Sequence, residues 1–309
     1  GEGLSVLTVV NYVTLNSGTV LTAGASLVAK ALSIRRDYHP HTTEESNMST
    51  AAQADKHIDT VELEEKVKAV YRDVAIDPHG EFHFEMGRAL AERLGYAPSD
   101  LDAIPRAAID SFAGVGYYFD LAALKPGETV VDLGSGSGMD SFIAALKVGK
   151  SGRVTGVDMT DEQLAKAERL RAAAGIGNVT YRKGYIQNTG LGDGSCDAVI
   201  SNGVINLAPD KGEVFREAAR LLKPGGRLAL ADIVTDVQLP DGITCYVTLW
   251  AACIGGAAQV DDYVAAIKAA GLRVQQVKEN PQYQFISNNA QGASRKYGVK
   301  SVSLVATKA

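Results

Sequence analysis

The feature that most limits the fold of this chain is a regular alternation of short apolar runs with longer amphipathic segments after residue 128. Five runs have the length and composition of strands: TVVDLG, RVTGVD, VTYRKGYI, CDAVISN and RLALADIV. The segments DEQLAKAERLRAAA and KGEVFREAARLL have the spacing of amphipathic helices. Strands that alternate with helices favour a parallel sheet with helices on both faces. Two further strand patterns, RVQQVKEN and VKSVSLVATK, complete a predicted doubly wound, mostly parallel, seven-stranded α/β sheet.

Two of the predicted helices begin with a capping signal. Thr160 with Gln163 has the pattern of a capping box, in which each side chain bonds to the backbone of the other residue. Asp210 with Glu213 predicts the same kind of helix start.

The first 47 residues differ in composition from the rest of the chain. Residues 3–29 carry no charged side chain, yet they are rich in Thr, Ser and Asn. A sequence typical of a protein start, MSTAAQADKH, begins at Met48. Two interpretations of residues 1–47 stay open, namely an extension outside the main fold or an added structural element or anchor.

Residues 48–120 contain helical patterns and no strand pattern. Apolar residues at positions 63, 67, 70 and 74 predict an amphipathic helix over 61–74. The sequence DPHG interrupts this pattern, and a second helical pattern covers 81–96. We therefore expect residues 48–120 to form a helical cap on a domain at residues 121–309.

Composition and charge limit the possible partners. The net charge of −5 and the isoelectric point near 5.6 argue against a nucleic acid, because phosphate binding favours a basic surface. The three cysteines, Cys196, Cys245 and Cys253, form no Cys-x-x-Cys pair, so neither a disulfide framework nor a zinc site is predicted. A reducing, cytoplasmic location is expected. Residues 3–29 are too polar for a membrane span, so no membrane partner is expected.

A glycine-rich loop joins the first predicted strand to a helix in the motif VVDLGSGSGMD. Its glycines permit a sharp turn and the close approach of a ligand. A dinucleotide-binding loop is the rival interpretation, but that fingerprint requires a glycine where this chain has Met139. Asp132 precedes the loop and Asp158 ends the next strand, so both carboxylates are expected at the carboxyl edge of the sheet. A carboxylate there can accept hydrogen bonds from both ribose hydroxyls of an adenosine.

Five motifs together resemble the class I S-adenosylmethionine-dependent methyltransferases. In chain order they are VDLGSGSG, GVDMT, KGYIQN, ISNGVINL and LKPGGRLALAD. The resemblance implies a Rossmann-like fold and S-adenosylmethionine as the cofactor.

The same resemblance implies roles for individual residues. Asp158 would bind the ribose, and Met159 and Ile186 would flank the adenine. The loop from Gly134 to Gly138 would lie against the methionine part, with Asn202 beside the sulfonium. Tyr185 is either a cofactor contact or a packing residue at the strand edge. The cofactor-binding candidates are Tyr71, Asp132, Gly134, Ser135, Gly136, Gly138, Asp158, Met159, Gly184, Tyr185, Ile186, Asn202, Gly203 and Asn206.

A closer resemblance points to the arsenite methyltransferases. It rests on GVDMTDEQLAKA, VISNGVINLAPDKGEVFREAARLLKPGG and LWAACIGGAAQVDDY, and on a helix with Tyr71 followed by SFAGVG before the core. Those enzymes hold trivalent arsenic with cysteine thiolates, which are soft ligands. This chain matches one of these cysteines, Cys253, but has Gly203 where the family has a cysteine, and no cysteine precedes Cys196.

The missing thiols leave two interpretations of the acceptor site. Gly203 would remove a thiolate and leave room, so that arsenic arrives already bound to small thiols or the acceptor is a different molecule. Cys253 is either an acceptor-binding thiol or a small buried residue beside Trp250.

The predicted cap supplies further candidates in HGEFHFEMGR. His79 and His83 would share one face if the segment were helical, but no third ligand is identified and no metal site is predicted. His83 or Glu85 is a candidate general base or substrate-orienting group, and the alternative is a surface helix. The catalytic candidates are therefore Cys253, His83 and Glu85.

These observations predict an S-adenosylmethionine-dependent methyltransferase that acts on a small-molecule acceptor. Arsenic is one possible acceptor, and an organic, quinone-like or other apolar molecule is another. A cofactor-binding protein without catalysis is the third interpretation. SNGV stands where nucleic-acid methyltransferases carry an Asn/Asp-Pro-Pro-Tyr/Phe motif, which also argues against a nucleic-acid acceptor. The sequence does not indicate an oligomeric state.

Overall fold

The computed structural model describes residues 59–244, 250 and 254–309. The interpretations of residues 1–47, Cys245 and Cys253 fall outside these residues. Within the described ranges, no helix combines the length and the apolar character needed to cross a membrane.

One sheet forms the centre of the described chain. Its strands are β1 (Thr129–Leu133), β2 (Arg153–Asp158), β3 (Val179–Lys183), β4 (Cys196–Asn202), β5 (Leu222–Thr235), β6 (Ala258–Gln259), β7 (Leu272–Glu279) and β8 (Lys300–Lys308). The strand order is β3-β2-β1-β4-β5-β8-β7, and β6 pairs with β5 outside this path. Strands β1 to β5 are parallel to their neighbours among these five, whereas β8 runs antiparallel between β5 and β7. The predicted seven strands and their mostly parallel arrangement are confirmed, and the two residues of β6 are too few to give a pattern in the sequence.

Helices cover both faces of the sheet. They are α1 (Thr60–Ile76), α2 (Arg88–Leu94), α3 (Pro98–Asp102), α4 (Arg106–Asp110), α5 (Phe119–Ala122), α6 (Met139–Val148), α7 (Asp161–Ala173), α8 (Lys211–Leu221), α9 (Asp241–Thr244), α10 (Val260–Ala269) and α11 (Asn288–Tyr297). Successive strand residues point to opposite faces, so they enter two apolar cores. Val130 packs in the core that contains α1 and α6, and Val131 packs in the core that contains α8 and α10.

The first helix of the described chain agrees with the prediction for residues 61–74. The Asp59 carboxylate caps α1 by accepting hydrogen bonds from the backbone N–H groups of Val61 and Glu62. Leu63, Val67 and Val74 are buried, so the amphipathic pattern identified the packed face correctly.

The prediction of a helix over 81–96 is wrong for its first half, because α2 begins only at Arg88. Gly87, with φ of +85°, precedes the helix in a conformation that favours glycine. The rings of Phe82 and Phe84 stack with centroids 5.7 Å apart, and residues 77–87 contain no helical residue. His83 therefore does not lie on a helix, and the geometric argument for pairing it with His79 is lost.

One of the two predicted helix caps is present. The Asp210 side chain accepts a hydrogen bond from the backbone N–H of Glu213 at 3.1 Å, as predicted. Thr160 makes no side-chain capping bond at the start of α7, so the predicted capping box is wrong. The Gln163 side chain instead forms hydrogen bonds to the cap helix α1 and to the glycine loop.

Candidate functional site

A cleft of about 510 Å³ opens where β1, β2, β3 and β4 end at their carboxyl ends. Its volume lies within the range of sites that bind small molecules and cofactors. Helix α1 contributes the opposite wall through residues that include Leu63, Val67 and Tyr71. Of the predicted cofactor-binding residues, the following line the cleft: Tyr71, Asp132, Gly134, Ser135, Gly136, Asp158, Met159, Gly184, Tyr185, Ile186 and Asn202.

Three predicted cofactor residues are not part of the lining that the described residues define. Gly138 is the N-cap residue immediately before α6, with φ of +94°. Gly203 lies just after β4, where its N–H donates to the Ala231 carbonyl at 2.8 Å. Asn206 is fully buried in a short 3-10 turn, and its backbone bonds to Asp232. A contribution of these three residues to cofactor binding stays a prediction. Because they do not line the cleft, they would act by positioning residues that do.

The predicted catalytic residues of the cap also lie away from the cleft lining. The His83 ring packs edge-on against Phe84 with centroids 4.7 Å apart, and Glu85 forms an ion pair with Arg93. Cys253 falls outside the described residues. The cleft therefore brings together the predicted cofactor residues but neither His83 nor Glu85, whose role as a general base stays a prediction.

The glycine loop has the geometry that the motif predicts. Gly134, Gly136 and Gly138 all have positive φ, at +73°, +52° and +94°. A Cβ atom on Gly134 would lie 2.5 Å from Val204 Cγ2, and one on Gly138 would collide with the Tyr181 hydroxyl. The loop needs glycine both for backbone conformation and for close packing.

Asp158 ends β2 with its carboxylate directed at the glycine loop. Its Oδ2 accepts from the Gly136 N–H and its Oδ1 from the Thr160 N–H, both at 2.9 Å. Burial raises the pKa of Asp158, and these backbone hydrogen bonds to the ionised form oppose the shift. Because two carboxylate oxygens offer about four acceptor positions, the group can still accept two ligand hydroxyls.

Tyr185 connects the sheet edge to the cap across the mouth of the cleft. Its hydroxyl donates to Glu64 Oε1 at 2.8 Å, and Lys68 Nζ lies 3.3 Å from the same hydroxyl. The hydrogen bond from Lys68 lowers the pKa of Glu64, as does the bond from Tyr185. Both Glu64 and Tyr185 line the cleft, and a contact between Tyr185 and the cofactor stays a prediction.

Two buried polar side chains of α7 hold the cap helix, and sequence reasoning missed both roles. Gln163 Nε2 donates to the Tyr71 carbonyl at 2.7 Å, and Gln163 Oε1 accepts from the Ser137 hydroxyl at 2.6 Å. One turn later, Lys166 Nζ donates to the Ala75 carbonyl at 3.0 Å. The signal available in the sequence was that Gln163 and Lys166 lie three positions apart, which puts these two long polar side chains on one helix face.

Asp132 is a nearly fully buried carboxylate on the floor of the cleft. Its Oδ2 accepts from the Ser141 hydroxyl at 2.6 Å. Burial, followed by the negative charge of Asp140, raises the pKa of Asp132 to about 8. A ligand cation close to this carboxylate would favour its ionised form.

Asp140 anchors a buried polar network that the sequence did not reveal. Its Oδ1 accepts from the Tyr96 hydroxyl at 2.6 Å, and its Oδ2 accepts from the Tyr118 hydroxyl at 2.8 Å. Asn202 Nδ2 donates to the same Oδ2 at 3.0 Å. Tyr96 and Tyr118 come from the cap region, and neither lies near Asp140 in sequence, so no local pattern could have joined them.

Asn202 also fixes the segment that precedes α5. Its Oδ1 accepts from the Val115 N–H at 2.8 Å, and its Nδ2 donates to the Gly116 carbonyl at 3.0 Å. A Cβ atom on Gly203 would lie 3.2 Å from Val115 Cγ1. The Val115 side chain therefore borders Gly203 closely, and the expectation that Gly203 leaves room for an acceptor stays a prediction.

The cleft residues fit S-adenosylmethionine. The Ser135 hydroxyl is buried in the cleft wall and has no hydrogen-bond partner among the described residues, so it can bond to a ligand. The glycine loop leaves backbone groups accessible at close range, and Asp158 can accept the hydroxyls of a ribose. Met159 and Ile186 supply apolar surface for a flat base, and Asp132 and Asp140 supply carboxyl groups whose ionised forms a cationic ligand would favour.

In the described part of the chain, the cleft lining contains no thiol, and side chains that could bind a metal ion do not form a cluster. Cys196 is fully buried in β4 and its thiol donates to the Leu221 carbonyl at 3.3 Å. Burial raises the pKa of Cys196 to about 12, so this thiol is not reactive. No group of three or more His, Cys, Asp and Glu side chains in the described ranges could hold a metal ion.

Comparison with known proteins identifies the family of this chain. A family model described as "Methyltransferase domain" matches residues 124–279, which is half of the chain. An arsenite methyltransferase from Halobacterium salinarum is 40% identical over 220 residues, covering 70% of this chain and 56% of that protein. The chain spans about half the length of the curated relatives it matches.

Two solved structures resemble this chain in fold. The crystal structure of an arsenic(III) S-adenosylmethionine methyltransferase from Chlamydomonas reinhardtii is 32% identical, with a TM-score of 0.54, and 72% of this chain and 74% of that chain are covered. The structure of geranyl diphosphate C-methyltransferase from Streptomyces coelicolor A3(2) is 18% identical, with a TM-score of 0.60 and coverage of 82% and 100%. At that identity, the second similarity concerns the fold alone.

Proposed function

Since the chain belongs to the methyltransferase-domain family, we propose that it transfers the methyl group of S-adenosylmethionine to a small-molecule acceptor, with trivalent arsenic as the first candidate. The observation that carries this proposal is the Asp158 carboxylate, held by the Gly136 N–H of the glycine loop at the end of β2. This arrangement supports a site for an adenosine that carries no phosphate.

Different residues of the cleft would bind different parts of the cofactor. Asp158 would accept the ribose hydroxyls, Met159 and Ile186 would pack on the two faces of the adenine, and the glycine loop would follow the methionine part. Asp132 would face its ammonium group. Bound there, S-adenosylmethionine supplies a methyl carbon activated by a positively charged sulfur.

The chain itself would align the acceptor and exclude water from the cleft. Helix α1 lies over the cleft and is held by Gln163 from below and by Tyr185 at the mouth. We infer that these contacts close the cap once the cofactor is in place. Asn202, whose amide is fixed by Val115 and Asp140, would keep the wall at Ala113 and Gly114 in position beside the methyl group.

Similarity to the arsenite methyltransferases supports arsenic as the acceptor, but the thiols of this chain support only part of the usual ligand set. By the resemblance, Cys253 would be the one cysteine at a family ligand position, and the Val115 side chain lies close to Gly203, where the family has a second thiol. We therefore propose that arsenic arrives bound to small thiols such as glutathione, with Cys253 as one protein ligand.

A second candidate acceptor is an organic, apolar molecule. The wall of the cleft at Phe112, Ala113 and Gly114 is apolar, and Ala108 extends it. Such a wall would suit a molecule that carries its own nucleophilic carbon or heteroatom.

A cytoplasmic location of the protein also stays a prediction.

The test uses the purified full chain with S-adenosylmethionine, glutathione and arsenite, with Cys253→Ser and the control Cys245→Ser in parallel. S-adenosylhomocysteine and methylated arsenic are measured together. We expect methylated arsenic from the unmodified chain and from Cys245→Ser, and a large loss in Cys253→Ser. No methylated arsenic despite cofactor binding would reject arsenic and favour the organic acceptor.

A further inference from the structure

Two buried carboxylates face the same cleft without a cation from the described chain. Asp132 is 2% exposed and Asp140 is 6% exposed, and both line the cleft. Neither forms an ion pair with a Lys, Arg or His side chain in the residues that the structure describes. Each charge is costly to bury unless something of opposite sign compensates it.

The Asp140 carboxylate is held in one orientation by donors from three different parts of the chain. Tyr96 bonds to one oxygen, and Tyr118 and Asn202 bond to the other. Both tyrosines are almost completely buried, so these bonds are shielded from water. Burial raises the pKa of Asp140, while the three hydrogen bonds favour its ionised form. The hydrogen bonds thus oppose the effect of burial and favour a negative charge beside Asn202, which also lines the cleft.

We propose that Asp140 is a charge-recognition residue for the sulfonium, so that the cleft favours S-adenosylmethionine over its demethylated product. The inference rests on the proposed function. Methyl transfer converts the positive sulfonium into a neutral thioether, whereas the ammonium and carboxylate of the methionine part stay unchanged. A carboxylate near the sulfur therefore distinguishes the two molecules, and one near the ammonium does not.

This role has a kinetic consequence. The attraction between Asp140 and the sulfonium weakens as the positive charge disperses in the transition state, so it contributes to binding more than to the chemical step. After transfer, the product loses the attraction, which favours its exchange for a new cofactor molecule. Removing the charge should therefore raise KM for the cofactor far more than it lowers kcat.

The experiment compares Asp140→Asn with the unmodified chain by calorimetric titration of S-adenosylmethionine and S-adenosylhomocysteine. The substitution keeps the side-chain shape and removes the charge. We expect S-adenosylmethionine affinity to fall about tenfold and S-adenosylhomocysteine affinity to change less than about twofold. Asp120→Asn, at an exposed acid on α5, is the control for net charge and should change neither affinity. Tyr96→Phe removes one of the three hydrogen bonds that favour the ionised carboxylate, so it should lower the S-adenosylmethionine affinity less than Asp140→Asn does and leave the S-adenosylhomocysteine affinity unchanged.

Equal losses for both ligands in Asp140→Asn would overturn the inference, because a structural role or contact with the ammonium would affect both. If Asp140→Asn does not fold, the unmodified chain still tests whether the cleft recognises the positive charge at the sulfur position. It should bind sinefungin, which carries an amine cation in place of the sulfonium, about tenfold more tightly than S-adenosylhomocysteine. Equal binding would again overturn the inference. An unmodified chain that binds none of these ligands would overturn the proposed function and the inference with it.

Discussion

Gln163 Nε2 donates a hydrogen bond to the main-chain carbonyl of Tyr71 at 2.7 Å, so that one side chain joins helix α7 to the cap helix α1. The other end of the same amide accepts from Ser137 in the glycine loop at 2.6 Å. A residue that sequence patterns assign to a helix cap is thus the link between the cofactor loop and the cap.

Gln163→Ala should remove the second hydrogen bond to the Tyr71 carbonyl, which lies within helix α1, and leave the buried Ser137 hydroxyl without this acceptor. Since unsatisfied buried polar groups are costly, we expect the free energy of unfolding to fall by about 1–3 kcal/mol. Cofactor affinity should fall as well, because the glycine loop and the cap lose their connection. Urea unfolding and calorimetric titration check the two effects. Arg169→Ala, at an exposed position of the same helix, is the control and should change neither quantity.

Asp158→Ala should reduce S-adenosylmethionine affinity by about 100-fold or more, because two charge-assisted hydrogen bonds to the ribose would be lost. Calorimetric titration measures the loss. Asp161→Ala is the matched control, since the exposed Asp161 carboxylate pairs with Lys183 at the protein surface. Unchanged affinity in Asp158→Ala would show that the adenosine binds elsewhere.

The sheet and the predicted cofactor residues could be derived from sequence because they are local. Strand length, glycine spacing and the acid at the end of β2 all occur within short segments, and β1, β2, β3 and β4 then bring them to one edge. The links from Gln163 to Tyr71 and from Asp140 to Tyr96 join residues 92 and 44 positions apart, so no periodicity reports them. The close contact between Gly203 and Val115 escaped the sequence for the same reason, because the two residues are distant in sequence.

Gly134→Ala should destabilise the chain through both backbone strain and a steric collision. Its φ is +73°, and a Cβ atom would lie 2.5 Å from Val204 Cγ2. Gly175→Ala is the matched control, because Gly175 has a similar φ of +64° but no atom within 4 Å of its Cβ position. We expect the control to lose about 1 kcal/mol in urea unfolding and Gly134→Ala to lose at least about 1 kcal/mol more. Equal losses would mean that Val204 moves freely and that only the backbone requires glycine.

The raised pKa of Asp132 predicts how stability depends on pH. Its pKa is about 8 in the folded chain, against about 4 for an exposed aspartate, so the folded state holds a proton that the unfolded state releases between these values. Stability should therefore fall as pH rises from about 4 to about 8, by up to about 1.4 kcal/mol per pH unit from this group, and should level off above pH 8.

Asp132→Asn isolates this effect from the other buried acids, Asp140, Asp158 and Asp232, whose pKa values are also raised. Urea unfolding from pH 5 to 9 should show that the difference in stability between Asp132→Asn and the unmodified chain grows with pH in favour of the variant. If the two pH profiles are parallel, Asp132 is already ionised in the folded chain at pH 5. Saturating S-adenosylmethionine should flatten the profile of the unmodified chain, because a cation beside Asp132 lowers the pKa of its carboxyl.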